Sequence, residues 1–172
     1  GPLVFAGYGM KAPKTDDLAE YDSYVHLPVE GKWVMVFRYM PEDVPVSWRT
    51  QRALQSQLRV KAATIRDLGG LGMIIVSGPK SNTKQEVIPL SRDAALGKIS
   101  IPVISISDDI AGQLMKSAGQ DLGWWQNQLD NGDLKISFEF PDVRIKANVD
   151  VEQIRGRGRN VIGRLQFEQQ ST

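Results

Sequence analysis

The chain has 172 residues, of which 41% are hydrophobic and 24% are charged, a balance typical of one folded globular domain. Its 21 basic and 20 acidic residues leave a formal charge of +1, so no overall field favours nucleic acid or an acidic membrane surface. The lack of cysteine excludes disulfides, thiolate metal sites and cysteine nucleophiles, and no apolar run approaches the ~20 residues of a membrane-spanning helix.

The first part of the chain predicts buried strands followed by one long helix. Residues 3–8 and 32–39 are apolar runs of strand length, and residues 11–31 between them show no sustained period, so we expect a loop there. Across residues 48–68 apolar side chains recur every three or four positions. This spacing predicts a single amphipathic helix, with Ser47 as its N-cap.

A parallel crossover unit is predicted around this helix. Residues 71–77 form a short run rich in branched apolar side chains, which favours a buried strand. Because a strand, a helix and a strand follow one another, the two strands are expected to be parallel neighbours. Residues 79–100 are polar and aperiodic and predict a long excursion, after which residues 101–107 alternate like another buried strand.

The remaining residues predict two short helices and then strands. Ser107 and the two aspartates after it favour a helix over residues 108–118 that stops at Gly119, and a second short helix is expected after Asp121. Alternation of apolar and polar side chains then predicts three strands, at residues 134–140, 143–151 and 160–165, with a turn at Pro141 and Asp142.

The order of these motifs resembles that of a known family. "LVFAGYGMKAP", "YDSYVHLPVEGKWVMVFR", "KAATIRDLGGLGMIIVSGP", "IPVISIS" and "RNVIGRL" follow one another as similar segments do in the protease-associated (PA) domain of M28-type zinc aminopeptidases. The resemblance implies a mixed α/β fold of the swivelling β/β/α type, with a β-rich, barrel-like core and two or three flanking helices. It also implies that residues 3–158 form the PA domain and that residues 159–172 begin the link into a peptidase domain.

The catalytic centre of that family is not expected in these residues. Its two zinc ions need histidine and carboxylate ligands and a carboxylate general base. The one histidine, His26, is followed by Pro28 where a His-x-Asp metal motif needs its aspartate, and no Glu-Glu pair occurs. The resemblance therefore implies a non-catalytic accessory domain with no catalytic, cofactor or metal residue of its own. The two zinc ions are expected in the peptidase domain of a secreted bacterial aminopeptidase, in an extracellular or periplasmic location.

By the same resemblance, the domain acts through contacts that limit or guide the access of substrate. The expected partners are the parent peptidase domain, peptide or protein substrates and a second copy of the chain, with no nucleic acid and no membrane. Long polar loops usually carry binding, so the loops at residues 40–46 and 79–98 are candidates. The candidate contact residues are Trp124, Trp125, Pro45 and Lys80. Adjacent helical tryptophans lie about 100° apart, so one is expected in the core and the other at the surface.

Two other functions are compatible with the residues alone. A small-ligand-binding or enzymatic α/β domain would use the glycine turns of the crossover unit. A nucleic-acid-binding module would use Arg155, Arg157 and Arg159, because clustered arginines track phosphates. Those arginines lack interleaved aromatic side chains, which makes the second alternative the weaker one.

Overall fold

A computed structural model describes residues 1–82, 87–88, 100–133, 137–150 and 158–163, and these residues form a mixed α/β fold. Their elements, in chain order, are β1 Pro2–Phe5, β2 Lys11–Ala12, β3 Tyr21–Asp22, β4 Trp33–Phe37, α1 Val46–Arg52, α2 Leu58–Asp67, β5 Gly72–Val76, β6 Val103–Ile106, α3 Asp108–Ser117, α4 Leu122–Asp130 and β7 Phe138–Arg144. No helix within these ranges has the length and apolar character needed to cross a membrane.

Five of the strands form one mixed sheet in the order β6-β5-β4-β1-β7. The first four are parallel to their neighbours, and β7 is antiparallel to β1. Every residue of β4 and β5 is buried, as expected for parallel strands that are covered on both faces. The predicted crossover is confirmed, because β4 and β5 pair in parallel across the intervening helices.

Helices cover both faces of the sheet. Alternate residues of β4 point to opposite faces: Phe37 packs in a cluster with α3 and α4, whereas Val36 packs in a second cluster with Ile65 of α2. The strands therefore lie between a layer formed by α3 and α4 and a layer formed by α2, and the core is divided between the two faces.

The predicted starts of the two later helices are confirmed. The side chain of Ser107 caps α3 by accepting a hydrogen bond from the Ile110 amide at 3.4 Å. Asp121 caps α4 by accepting from the Trp124 amide at 2.6 Å. Gly119 follows α3 with a φ of +69°, the left-handed conformation that commonly ends a helix.

The prediction of one helix over residues 48–68 was wrong. Two helices form instead, and α1 begins after Pro45 without a side-chain cap, so Ser47 is not the N-cap. The helical spacing included Leu54, but this side chain lies in the break and is 54% exposed. Each helix packs on different neighbours: α1 buries Arg52, and α2 buries Ala62 and Ile65 in the core.

The expected loop at residues 11–31 contains two short strands. Lys11 pairs with Asp22 and Ala12 with Tyr21 in a separate two-stranded sheet. The pairing is supported by a Lys11–Asp22 ion pair at 2.8 Å and by the burial of Tyr21. Two residues per strand are too few to give a recognisable alternation in the sequence.

The strand prediction near the end of the chain was wrong in two places. No turn forms at Pro141 and Asp142, because β7 continues through both residues while its register with β1 shifts between Pro2 and Val4. Residues 145–150 and 160–163 are not in strands, and Val161 and Ile162 are 98% and 91% exposed. A strand at residues 160–165 would need a neighbour to bury these side chains, and the described residues provide none. Residues 134–136 and 164–165 lie outside the described residues.

Candidate functional site

The carboxyl ends of β1, β4, β5 and β6 meet at one edge of the sheet, because these strands are parallel. Ligands of parallel α/β sheets usually bind at this edge. Here it consists of the residues that follow the four strands and of the helix α4. We call it the carboxyl edge and define it by residues 6–10, 38–45, 77–82, 107–108 and α4.

A fully buried lysine closes the end of β4. Lys61 of α2 is 0% exposed, and its Nζ lies 2.9 Å from the carbonyl oxygen of Phe37, 3.3 Å from that of Arg38 and 2.5 Å from that of Tyr39. An ammonium group has three N–H donors, so these three acceptors match its hydrogen-bonding capacity. Lys61 therefore fixes the backbone at the point where β4 leaves the sheet.

Burial also makes the charge of Lys61 costly. Desolvation penalises the ammonium form and lowers the pKa of Lys61 to about 7. The neighbouring ring of Tyr8 offers partial compensation, because Nζ lies 5.8 Å from its centroid. The site holds a cation that titrates near neutral pH.

Tyr8 connects this lysine to the end of α4. Its hydroxyl donates a hydrogen bond to Oδ1 of Asp130, which also accepts from the Glu42 amide at 3.3 Å. Tyr8 is 2% exposed and Asp130 is 5% exposed. Burial raises the pKa of the Tyr8 hydroxyl. It also raises the pKa of Asp130, against the effect of the hydrogen bond from Tyr8. The pair joins β1, the loop after β4 and α4.

The turn that presents Tyr8 depends on a glycine. Gly9 has a φ of +60°, and a Cβ at this position would lie 2.5 Å from Cγ1 of Val36. Its carbonyl accepts a hydrogen bond from the Tyr24 hydroxyl at 3.0 Å. The "GYG" motif is thus a tight strand-end turn with a buried tyrosine at its centre.

The loop after β5 is attached to α3 and α4. The Gly78 amide donates to Oδ1 of Asp108 at 2.8 Å, and the Lys80 amide donates to Oε1 of the buried Gln126 at 2.9 Å. Nζ of Lys80 reaches Oδ1 of Asn127 at 2.7 Å. The bond of Gly78 holds this loop against α3, and the two bonds of Lys80 hold it against α4.

A cavity of about 300 Å³ opens beside the loop after β4. Arg38, Tyr39 and Met40 form one side of it, and Arg49 of α1 lies on another. Three polar residues of the described ranges also line it: Glu42, Ser56 and Asn82. The guanidinium of Arg38 lies 5.1 Å from the centroid of the Tyr39 ring, and Oε2 of Glu42 accepts a hydrogen bond from the amide of Asn82. Among the described residues, the lining combines two cations, one anion and an aromatic ring.

The two tryptophans differ in exposure. Trp125 is 8% exposed and packs against Phe5 and Phe138, and its Nε1 donates to Oε1 of Gln120 at 2.8 Å. Trp124 is 51% exposed and stacks edge-on against Trp125, with ring centroids 5.5 Å apart. Trp125 is therefore a core residue, and the surface that the sequence predicted depends on Trp124.

The other predicted contact residues, Lys80 and Pro45, lie at different points of the carboxyl edge. Pro79 approaches the residue before Trp124: a Cβ on Gly123 would lie 3.8 Å from Cγ of Pro79, and Lys80 binds Asn127 on the next turn of α4. Pro45 is exposed and precedes α1 on the side of Asp43, whose amide donates to the Asp130 carbonyl at 3.1 Å. Trp124, Lys80 and Pro45 are all attached to the carboxyl edge.

The remaining residues singled out in the sequence are only partly covered by the structure. His26 is exposed and has a φ of 58°, and no group of three His, Cys, Asp or Glu residues suited to a metal ion is found within the described ranges. Arg159 is exposed outside any helix or strand, whereas Arg155, Arg157 and most of the loop at residues 79–98 lie outside the described residues. The nucleic-acid alternative stays a prediction.

The sequence did not predict Lys61, Tyr8 or Asp130 as residues of a site. A signal for the lysine existed: it falls on the apolar face that Leu58, Ala62 and Ile65 define at three- and four-residue spacing. A charged residue on such a face needs buried acceptors, which here are main-chain carbonyls. Comparison of the chain with protein-family models, with curated proteins and with solved structures finds no match in any of the three.

Proposed function

We propose that the chain is a non-catalytic contact domain that recognises peptide or protein substrates at its carboxyl edge. In this proposal it is a PA domain of the kind that its motifs resemble, belongs to a secreted bacterial zinc aminopeptidase, and controls access to the peptidase domain. The barrel-like closure of the family and the extracellular or periplasmic location are parts of the same proposal. The two zinc ions would belong to the peptidase domain and not to this chain.

The proposal rests mainly on Trp124, whose side chain is exposed to solvent but held in a fixed position. Half of this large side chain is open to solvent, while its ring rests on the buried Trp125 and its amide is held by the Asp121 cap. Tryptophan is enriched among the residues that dominate binding energy. Because Trp124 is already held in place, a partner that covers it loses little side-chain entropy.

The surroundings of Trp124 favour an extended polar partner. Lys80 and Asn127 lie beside it at the carboxyl edge, and Pro45 is exposed on the loop that joins β4 to α1. A peptide has a main chain rich in donors and acceptors and side chains that pack on an indole. The mixture of an exposed aromatic ring with amide and ammonium groups suits such a ligand.

A titration followed by NMR tests this function. The chain has four tryptophans, so a ¹⁵N-labelled sample gives four indole signals that report on Trp33, Trp48, Trp124 and Trp125 separately. A pool of short unstructured peptides is expected to shift the Trp124 signal most and that of Trp33, which is 5% exposed, least. Four unmoved signals at millimolar peptide would contradict the proposal.

A matched pair of variants identifies the contact. Trp124→Ala is expected to weaken peptide binding by about tenfold or more, as for a central aromatic contact. Ile110→Ala is the control, because Ile110 is equally exposed, at 51%, but lies on α3. Equal losses in both variants would show general surface stickiness and would argue against a defined contact.

A further inference from the structure

We propose that the cavity beside the loop after β4 is a carboxylate subsite, which receives one carboxylate group of a bound peptide. The inference rests on the proposed function, since it gives the same contact domain a preference among its peptide ligands. The cavity lies at the carboxyl edge: Asn82 on its wall is two residues from Lys80, which is bound to α4.

Two arginines from different elements line the cavity. Arg38 follows β4, and Arg49 lies in the last turn of α1. Guanidinium groups bind carboxylates in bidentate geometry and remain charged at all physiological pH values. Arg49 has no ion pair with any residue in the described part of the chain, so a carboxylate that enters does not have to displace one there.

The charges of the described lining residues suit an anion. Among these residues, Arg38 and Arg49 are positive and Glu42 is negative, so cations outnumber anions by one. Oε2 of Glu42 is already engaged by the amide of Asn82. A carboxylate that enters the cavity would offset this excess.

The buried lysine supports the same preference. Its ammonium group binds the carbonyl oxygens of residues 37–39, and two of these residues, Arg38 and Tyr39, form the cavity wall. The wall is therefore fixed before a ligand arrives, and binding does not have to order it. The charged form of Lys61 also adds a positive potential behind this wall in a region of low dielectric.

The size of the cavity limits the ligand. A volume of about 300 Å³ is at the lower end of ligand pockets. It accommodates one side chain or one chain terminus. Tyr39 and Met40 provide apolar contacts for the methylene groups that carry the carboxylate. The carboxylate belongs to a glutamate side chain or to the carboxyl terminus of the peptide.

Calorimetry with three matched peptides tests the subsite and identifies the source of the carboxylate. All three are N-acetylated. The first has a central Glu and an amidated end, the second has Gln and an amidated end, and the third has Gln and a free carboxyl end. The first and the third each differ from the second in one group. The intact chain is expected to bind the first or the third about tenfold more tightly than the second, because one charged hydrogen-bonded pair is added.

Two arginine variants give the specificity control. Arg49→Gln is expected to remove the preference for the carboxylate, while the neutral peptide binds as before. Arg59→Gln makes the same charge change at another exposed arginine, on α2 and away from the cavity lining, and is expected to keep the preference. Circular dichroism on both variants confirms that they are folded.

The outcomes separate the subsite from the function on which it rests. Equal affinity for all three peptides would overturn the subsite but leave peptide recognition intact. No binding of any peptide would overturn both. An equal loss of preference in Arg49→Gln and Arg59→Gln would assign the effect to general surface charge and would also overturn the subsite.

Discussion

Two buried cations stabilise different regions of this domain, and they are satisfied in different ways. Lys61 is 0% exposed and donates to three main-chain carbonyls at the carboxyl edge. Arg52 is 3% exposed, donates to the Ala19 carbonyl, and lies 5.0 Å and 6.0 Å from the ring centroids of Trp48 and Tyr21. No carboxylate forms an ion pair with either one among the described residues.

The difference determines how each region responds to pH. A lysine can lose its proton when burial makes the charge costly, whereas an arginine keeps its charge at every accessible pH. The Lys61 ammonium has carbonyl acceptors for its N–H groups. Nε of Arg52 has no hydrogen-bond partner within the described part of the chain, and its guanidinium lies against aromatic rings. We therefore expect the carboxyl edge to be sensitive to pH near neutrality and the region around α1 to be insensitive.

The largest expected effect is a rise in stability with pH that depends on Lys61. Its pKa is about 7 in the folded chain and 10.5 in the unfolded chain, so the unfolded state binds more protons between these values. The free energy of unfolding should therefore increase by about 1.4 kcal/mol per pH unit from pH 7 towards pH 10. Chemical denaturation at several pH values measures this slope.

The slope should end near pH 10 because of the tyrosines. Burial raises the pKa values of Tyr8, Tyr21 and Tyr24. Unfolded tyrosines ionise at about pH 10, so above that pH the folded state retains more protons and stability falls. The variant Lys61→Met should lack the rise between pH 7 and pH 10. If it shows the same slope as the original chain, Lys61 is not the titrating group.

A smaller loss is expected when the arginine is replaced. Arg52→Met removes the hydrogen bond to Ala19 and the contacts with Trp48 and Tyr21, and should cost about 2 kcal/mol. Because the guanidinium does not titrate, this loss should be constant from pH 6 to pH 9. Denaturation of both chains at the same pH values measures it. A loss that changes with pH would remove the contrast between the two cations.

The smallest of these effects concerns the tyrosine beside the lysine. Tyr8→Phe keeps the ring near Lys61 but removes the donor to Asp130, and should cost about 1 to 2 kcal/mol because a buried carboxylate loses a partner. A double-mutant cycle with Asp130→Ala, which removes the acceptor, measures the coupling between the two side chains. Strictly additive losses would show that the hydrogen bond contributes nothing to stability.

The strands β4 and β5 and the crossover between them were predictable because the sequence pattern of each element is local. The apolar runs of β4 and β5 need only burial on both faces, and Ser107 and Asp121 cap helices within three residues of themselves. The break between α1 and α2 was not predictable. Near the break Arg52 lies 6.0 Å from the ring centroid of Tyr21, which is distant in sequence, and Leu54 fits the helical spacing although it is exposed.

The candidate site was harder to predict than the fold. The acceptors of Lys61 are main-chain carbonyls, which leave no mark in the sequence, and the cavity joins residues from α1 and from the loops after β4 and β5. Trp124 could be singled out from the adjacent pair, but only packing against Phe5 and Phe138 decides that Trp125 is the buried one. Groups of side chains that are brought together by tertiary contacts can be identified only from the structure.

One NMR titration that observes Trp124 and Arg49 together tests most directly whether the carboxyl edge recognises peptides. The glutamate or free-acid peptide that binds more tightly is added to the ¹⁵N-labelled chain, and the indole signal of Trp124 and the Nε–H signal of Arg49 are followed. Both signals are expected to move with one dissociation constant, while the Nε–H signal of the control Arg59 stays in place. If the signals of Trp124 and Arg49 do not move, the carboxyl edge is not the peptide-binding surface.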